Sequence, residues 1–227
     1  MRIRAPIVFL LGLAACASPG NGREPVVGVD SGSVLPVFPS NRYTVAAPAT
    51  RTGLRVHLPD VSHDAVFGAF KGLDGELNSL DGFGTSAELW VRFDAPIDPS
   101  GLPSWDQSID PASTVQIIRL SDGVRERFET TYDGPSHTLF VQPWGALRSA
   151  SLYALVILDV LHDLDGRKLK PAGTTWAAGS GSEVRRWLGK SDKTVLVSVF
   201  TTQSSSETLG LLAQRPVPHT AAELPPV

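Results

Sequence analysis

Two features of the sequence predict an all-β protein, a β-sandwich with short accessory helices. The first is the segment 80–100, which opens on an Asp-Gly turn, alternates, and closes on Asp98-Pro99-Ser100. Alternation of this kind is typical of a strand with one face in a core. One face carries Ala87, Leu89, Val91 and Phe93, and the other carries Glu88, Trp90 and Arg92. We expect Leu89, Val91 and Phe93 to be buried, Glu88 and Arg92 to be exposed, and the strand to form one edge of the sandwich.

The second feature is a series of short segments rich in Val, Ile, Thr, Tyr and Phe, separated by turn residues. These predicted strands are 114–120, 125–132, 138–142, 152–160 and 195–201. Strands at such close, regular spacing favour a sandwich over a parallel sheet. Segment 152–160 is apolar on both faces and is therefore predicted to be a central strand.

The remaining elements are short. Segments 34–38 and 43–46 are interrupted or followed by proline and are predicted as edge strands, whereas 54–58 alternates like a strand. A helical turn is predicted near 74–80. A short helix is predicted over 183–188, capped by Ser182, with Trp187 packing inward. Ser204 and Glu207 form a capping-box pattern before a final short helix.

The N-terminus has the pattern of a lipoprotein signal over residues 1–15. Arg2 and Arg4 precede a short apolar run, 7–13, which is too short to span a bilayer. The following Leu13-Ala14-Ala15-Cys16 resembles a bacterial lipobox, in which the cysteine receives lipid and becomes the mature N-terminus. An ordinary secretory signal with a chance cysteine is the alternative. The only cysteine of the chain lies at this position, which favours lipidation of Cys16 and excludes an intrachain disulfide.

Lipidation of Cys16 predicts a protein anchored to the membrane of a bacterial cell envelope. By analogy with enteric bacteria, Ala17 in place of an aspartate favours the outer membrane. Removing 15 of 227 residues leaves 212 and lowers the net charge from −3 to −5, because the leader carries two arginines and no acid. This mildly acidic chain gives no support to nucleic-acid binding. The predicted plan is a flexible tether over 16–33, one domain over 34–214 and a disordered Pro-rich tail over 215–227.

A family resemblance rests on the string LDGFGT at 80–85, the alternating strand and the turn DAPIDPS at 94–100. Together they resemble the N-terminal immunoglobulin-like domain of bacterial lipid-anchored, virulence factor-type lipases, whose pattern is close to LDGFST. Similar pieces occur in the same order at 38–41, 153–157, 163–166 and 199–204. The resemblance covers roughly 34–214 and implies an immunoglobulin-like fold, also similar to the SbsA-type bacterial domain. In that family an α/β-hydrolase domain follows, whereas this sequence continues with residues 215–227.

Two groups of residues are candidates for metal binding. His57 and His63 flank a loop with Asp60 and Asp64, but their spacing matches no regular ligand pattern, so solvated loop side chains are the favoured interpretation. Asp163-Leu164-Asp165-Gly166 resembles the start of a calcium loop. Lysines follow it where a bidentate glutamate is needed, so Asp163 and Asp165 are predicted to form a turn with Gly166 at positive φ.

The sequence contains no recognised catalytic motif. An α/β-hydrolase needs a serine within G-x-S-x-G, and no stretch fits. We therefore expect no catalytic residues and no cofactor. The favoured hypothesis is a non-catalytic, lipid-anchored immunoglobulin-like module that works by binding, or as a structural part, with an envelope protein as a partner. The alternative is a shortened lipase, or an accessory subunit whose partner is a hydrolase on a separate chain.

Overall fold

A computed structural model describes residues 27–61, 73–172, 181–188 and 194–204 of the chain. Two four-stranded antiparallel sheets face each other across one main hydrophobic core, and a two-stranded sheet lies beside them. The predicted all-β, sandwich-like fold is therefore confirmed. The strands are β1 Val37–Phe38, β2 Thr44–Ala46, β3 Leu54–Val56, β4 Leu89–Arg92, β5 Val115–Arg119, β6 Arg125–Glu126, β7 Phe128–Asp133, β8 Thr138–Pro143, β9 Leu152–Leu158 and β10 Thr194–Thr201; the helices are α1 Leu73–Leu77 and α2 Gly181–Leu188.

The first sheet has the order β1-β4-β8-β7. Strand β4 lies in the segment 80–100, which was predicted to form an edge strand, but it is not the edge of the sheet. It pairs with β8 on one side, Leu89 opposite Val141, and with β1 on the other, Val37 opposite Val91. The prediction of an edge strand is therefore wrong, because the segment before residue 39 adds a further strand.

The burial of β4 agrees with its alternation on one face only. Leu89, Val91 and Phe93 are buried and Glu88 is exposed, as predicted. Arg92, predicted to be exposed, is only 8% exposed. Its Nη1 donates to Ser33 Oγ at 2.9 Å, so the segment before β1 covers this side of the strand. Trp90 is buried as well, and its Nε1 donates to the carbonyl of Leu35 at 3.0 Å.

The segment that covers Arg92 belongs to the predicted tether, whose boundary at residue 33 is too late. Val27 is buried, and its carbonyl accepts from Lys170 N at 2.7 Å. Gly28 exchanges hydrogen bonds with Asp94, and Asp30 N donates to the carbonyl of Arg92 at 2.9 Å. These contacts make residues 27–33 part of the domain. The described residues do not include 16–26, which are the rest of the predicted tether. They also do not include 205–227, which contain the whole predicted tail.

The second sheet has the order β10-β9-β5-β6, so β9 is central, as predicted. Its side chains alternate between two hydrophobic clusters: Tyr153, Leu155 and Ile157 face the main core. Ala154 and Val156 face a smaller cluster on the outer side of the sheet. Helix α2 covers that outer face through Val184 and Trp187, and Trp187 Nε1 donates to the carbonyl of Leu120 at 2.9 Å. The inward packing of Trp187 is therefore confirmed.

The segment 125–132, predicted as one strand, is two strands in different sheets. Arg125 pairs with Ile118 of the second sheet, whereas Phe128 pairs with Pro143 of the first. The chain crosses between the sheets at Arg127, and the fully buried Phe128 enters the core directly after the crossing. Periodicity could not reveal the crossing, because β6 is only two residues long and β7 begins after a single further residue.

The chain leaves β10 next to the LDGFGT string. Ser204 donates its backbone N–H and its hydroxyl to the carboxylate of Asp81, so its hydroxyl already has a partner. The other residue of the predicted capping box, Glu207, lies outside the described residues.

Helix α1 begins one residue earlier than the helical turn predicted near 74–80. None of the helices in the described ranges has the length and apolar character needed to cross a bilayer.

Candidate functional site

The residue predicted to carry lipid, Cys16, lies outside the described residues, as do His63 and Asp64 of the first predicted metal group. The described members of that group, His57 and Asp60, are exposed. His57 lines an open cleft of about 800 Å³ together with Arg42 and Lys170. Within the described ranges, no three His, Cys, Asp or Glu side chains converge as a metal site would require.

The second predicted metal group is a turn fixed by an arginine. Asp163 is buried, and its carboxylate accepts from the backbone N–H groups of Asp165, at 2.9 Å, and Arg167, at 2.8 Å. The Arg167 guanidinium contacts both carboxylates, Nε to Asp163 at 2.7 Å and Nη2 to Asp165 at 2.6 Å. Gly166 has φ +74°, as the turn interpretation predicted. A guanidinium thus takes the position where a cation between the two aspartates would lie.

The protonation of Asp163 agrees with this arrangement. Burial raises the pKa of its carboxyl group, but the hydrogen bonds from Arg167 and Asp165 outweigh burial and bring the pKa below its ordinary value. The Asp163 hydrogen bond, in turn, raises the pKa of Arg167. The group is a structural ion pair.

A second charged group ties the β5–β6 turn to β9. Arg119 Nε contacts Asp122 at 2.9 Å and its Nη1 contacts Glu126 at 3.4 Å. The hydroxyl of Tyr153 donates to Glu126 at 3.2 Å. The Asp122 hydrogen bond raises the pKa of Arg119, and burial raises the pKa of Tyr153. Each group has a partner within the fold, which gives these shifts a structural cause.

The LDGFGT string lines an apolar pocket of about 350 Å³. Its floor includes the stacked rings of Phe38 and Trp90, whose centroids are 4.4 Å apart. Phe83 crosses Phe38 edge-on at 5.3 Å. Glu88 lies at the rim, and partial burial raises the pKa of its carboxyl group. The string therefore has a packing role here, since its aromatic residue completes the core beside β4.

The most distinctive surface feature is a cluster of two tryptophans and an arginine, Trp105, Arg127 and Trp144, which we call the Trp–Arg cluster. The guanidinium carbon of Arg127 lies 4.2 Å from the ring centroid of Trp105, in cation–π contact. Trp144 meets Trp105 edge-on, with centroids 5.5 Å apart and planes at 71°. Trp144 is 63% exposed. The cluster thus combines a fixed ring, a cation and an open ring.

Three elements from distant parts of the chain form this cluster. Trp105 directly precedes the 3₁₀ turn Asp106–Ile109, and its carbonyl accepts from the hydroxyl of Ser108 at 2.7 Å. Arg127 is the residue at which the chain crosses between the sheets. Trp144 follows β8, and its N–H donates to the carbonyl of Arg127 at 2.8 Å. The β7–β8 ladder therefore sets the spacing of Arg127 and Trp144.

Two donors of the cluster have no hydrogen-bond partner among the described residues: Trp105 Nε1 and Arg127 Nη1. The nearest charge is Asp106, 3.9 Å from Arg127 Nη1 and 84% exposed. Nearly all buried polar groups are hydrogen-bonded, because an unpaired one costs about 1–3 kcal/mol. Sequence reasoning did not find this cluster. The one sequence feature that points to the cluster is Trp144 in the turn Pro143-Trp144-Gly145, because a large aromatic side chain in a turn does not pack into the core.

No family model matches the chain, and no curated protein matches it. Among solved structures it is similar to surface layer protein SbsC, domains 1–6, with 15% identity and a TM-score of 0.32 over 52% of this chain and 12% of that chain. It is also similar to the N-terminal part of the bacterial S-layer protein SbsC, with 15% identity and a TM-score of 0.31 over 52% of this chain and 21% of that chain. The matched region is thus about a fifth or less of those proteins.

Proposed function

We propose that the protein is a non-catalytic binding module of a bacterial cell envelope, anchored to the membrane by lipid on Cys16. The observation that supports binding is the Trp–Arg cluster, in which the exposed ring of Trp144 lies beside two buried donors that have no hydrogen-bond partner among the described residues. By contrast, the charged groups with shifted pKa around Asp163 and Arg119 have partners within the fold.

The anchor is supported by the sequence alone. A basic start, a short apolar run and Leu13-Ala14-Ala15-Cys16 form a lipobox pattern at the only cysteine of the chain. A single acyl chain binds membranes only marginally, at ~0.8 kcal/mol per buried CH₂, so stable anchoring takes more than one chain. A lipobox cysteine carries several. Ala17 at the next position favours outer-membrane placement.

Mass spectrometry of the mature N-terminus tests the anchor. We expect a chain that begins at Cys16, carries acyl groups and fractionates with the outer membrane. Cys16→Ser should abolish the acylation and release the protein from the membrane fraction, while the matched change Ala17→Ser should leave the acylation intact. An unmodified thiol at Cys16, or a mature chain that starts elsewhere, would overturn the proposed anchor.

A further inference from the structure

We infer that the Trp–Arg cluster is a saccharide site and that its ligand is a polysaccharide of N-acetylated hexosamines. The inference rests on the proposed function, because it names the ligand class of a binding module located in the envelope. A pyranose ring has an apolar C–H face and a rim of hydroxyl groups. A site for it therefore needs an open aromatic ring with polar groups at its edge.

The open ring is Trp144. It is 63% exposed, and the residues that follow it, Gly145 and Ala146, are small and exposed. Trp105 stands at 71° to it, so the two rings form a corner in which one can receive the face of a sugar and the other its edge. Ser108 holds the backbone carbonyl of Trp105, and the Arg127 guanidinium packs on its ring. The Trp105 ring is thus held by its neighbours within the cluster.

The polar groups at the corner match an acetamido sugar. Arg127 is 38% exposed, and its guanidinium offers donors in a planar fork to a carbonyl oxygen. Trp105 Nε1 and Arg127 Nη1 are buried donors of the same cluster without a partner among the described residues, so a ligand directly contacts the exposed part of the guanidinium. Asp106, 84% exposed beside Arg127, can accept from sugar hydroxyls. The acetamido carbonyl of such a sugar adds a planar acceptor to the hydroxyl oxygens that any hexose offers.

The size of the exposed surface argues against a protein partner. A stable protein interface buries about 800 Å² on each side, with aromatic anchors inside a wider apolar patch. Among the described residues of the cluster, only the Trp144 ring is widely exposed; Gly145 and Ala146 follow it along the chain, and the charged Asp106 lies near Arg127. That area suits one or two sugar rings.

Titration of the full mature chain with chitotetraose, the soluble tetramer of N-acetylglucosamine, tests the inference. We expect a saturable change in tryptophan fluorescence and a matching heat signal in calorimetry. Trp144→Ala should weaken binding at least about tenfold, which corresponds to ~1.4 kcal/mol. The control Leu164→Ala removes an equally exposed apolar residue from a different loop, 66% exposed, and should bind like the parent. Thermal unfolding of each variant confirms that it is folded.

Two comparisons make the test specific. Cellotetraose, which lacks the acetamido group, should bind several-fold more weakly, and Arg127→Lys should reduce that preference because lysine lacks the planar fork. Equal affinity for both sugars would overturn the acetamido assignment. Absence of saturable binding, or a Trp144→Ala variant that binds like the parent, would overturn the site. A Trp144-dependent protein partner without saccharide binding would also overturn it. Acylation of Cys16 is measured separately, so absence of saccharide binding would not contradict the proposed lipid anchor.

Discussion

At the scale of single residues, Phe93 and Glu88 show how far alternation determines burial. Phe93 is buried in the main core and Glu88 is exposed at the rim of the apolar pocket. Arg92, on the same face as Glu88, is nonetheless covered by Ser33 and its neighbours. The alternation therefore identifies the core face of β4 but does not determine whether its other face is exposed.

Phe93→Ala should lower the free energy of unfolding by ~3–5 kcal/mol, through lost transfer energy and the cavity left behind. Glu88→Ala should change it by under about 0.5 kcal/mol, as surface substitutions do. Chemical denaturation of the two variants and the parent measures both values. The reverse order would mean that the register of β4 is shifted by one residue.

Asp163 gives a pH-dependent prediction. Its folded-state pKa is below the ordinary value, so ionised Asp163 stabilises the fold at pH values above its unfolded pKa of about 3.9, and this contribution disappears as the pH falls through the folded pKa. Asp163→Asn should therefore unfold at a lower temperature than the parent at neutral pH. The difference in unfolding temperature should narrow below about pH 4 and disappear only when the pH has fallen through the lowered pKa of the folded parent.

Asp165→Asn is the matched control for this measurement. Asp165 contacts the same guanidinium, but its side chain is exposed and accepts no backbone N–H from the described residues, so its replacement should shift the unfolding temperature less. If the difference in unfolding temperature between Asp163→Asn and the parent stayed constant from neutral to acid pH, this would contradict an ionised Asp163 in the fold.

At the scale of elements, the LDGFGT string is a packing motif between β10 and β4. Phe83 N donates to the carbonyl of Thr201 at 2.9 Å, and Gln203 N donates to the carbonyl of Phe83 at 2.7 Å. At Gly82 an added Cβ would lie 2.7 Å from the backbone of Thr202 and Gln203, so only glycine allows this approach. At Gly84 the nearest atom would be the Cβ of Ala87, at an ordinary 3.4 Å.

These two glycines form a matched pair for a stability test. Gly82→Ala should destabilise the domain by ~1–3 kcal/mol or more, since the backbone at the end of β10 would have to move. Gly84→Ala has room for its methyl group and should be near neutral or slightly stabilising. Thermal unfolding of both variants tests the role of the motif, and equal destabilisation would argue against the close approach at Gly82.

At the scale of the whole molecule, the residues that carry the lipase resemblance have structural roles in the sandwich. The resemblance lies in the strands and in the LDGFGT string, and the structure gives these residues core contacts. In the family that the sequence resembles, the chemistry belongs to a separate hydrolase domain. The buried hydroxyls of Ser198 and Ser113 donate to the backbone carbonyls of Pro39 and Val115, which is a structural use of serine.

The purified mature chain should therefore hydrolyse short acyl esters no faster than buffer does. The sequence has no G-x-S-x-G elbow to hold a nucleophile. A chromogenic ester series, with heat-unfolded protein as the control, measures the rate. Turnover that disappears when one particular serine is replaced would promote the shortened-lipase hypothesis.

The sequence by itself determined the fold class, the positions of most strands, the burial of Leu89, Val91 and Phe93, and the turn at Gly166, because each depends on local periodicity or backbone preference. Only the tertiary structure decided the rest. Arg92 is buried because residues 28–36 lie alongside β4, and Arg127 is the crossing point because its flanking strands pair with different sheets. The Trp–Arg cluster depends on the same long-range pairing, which brings Trp105, Arg127 and Trp144 together from separate elements. Local patterns indicate which face of a strand is buried in the core, but they carry no information on which distant segment lies beside that strand.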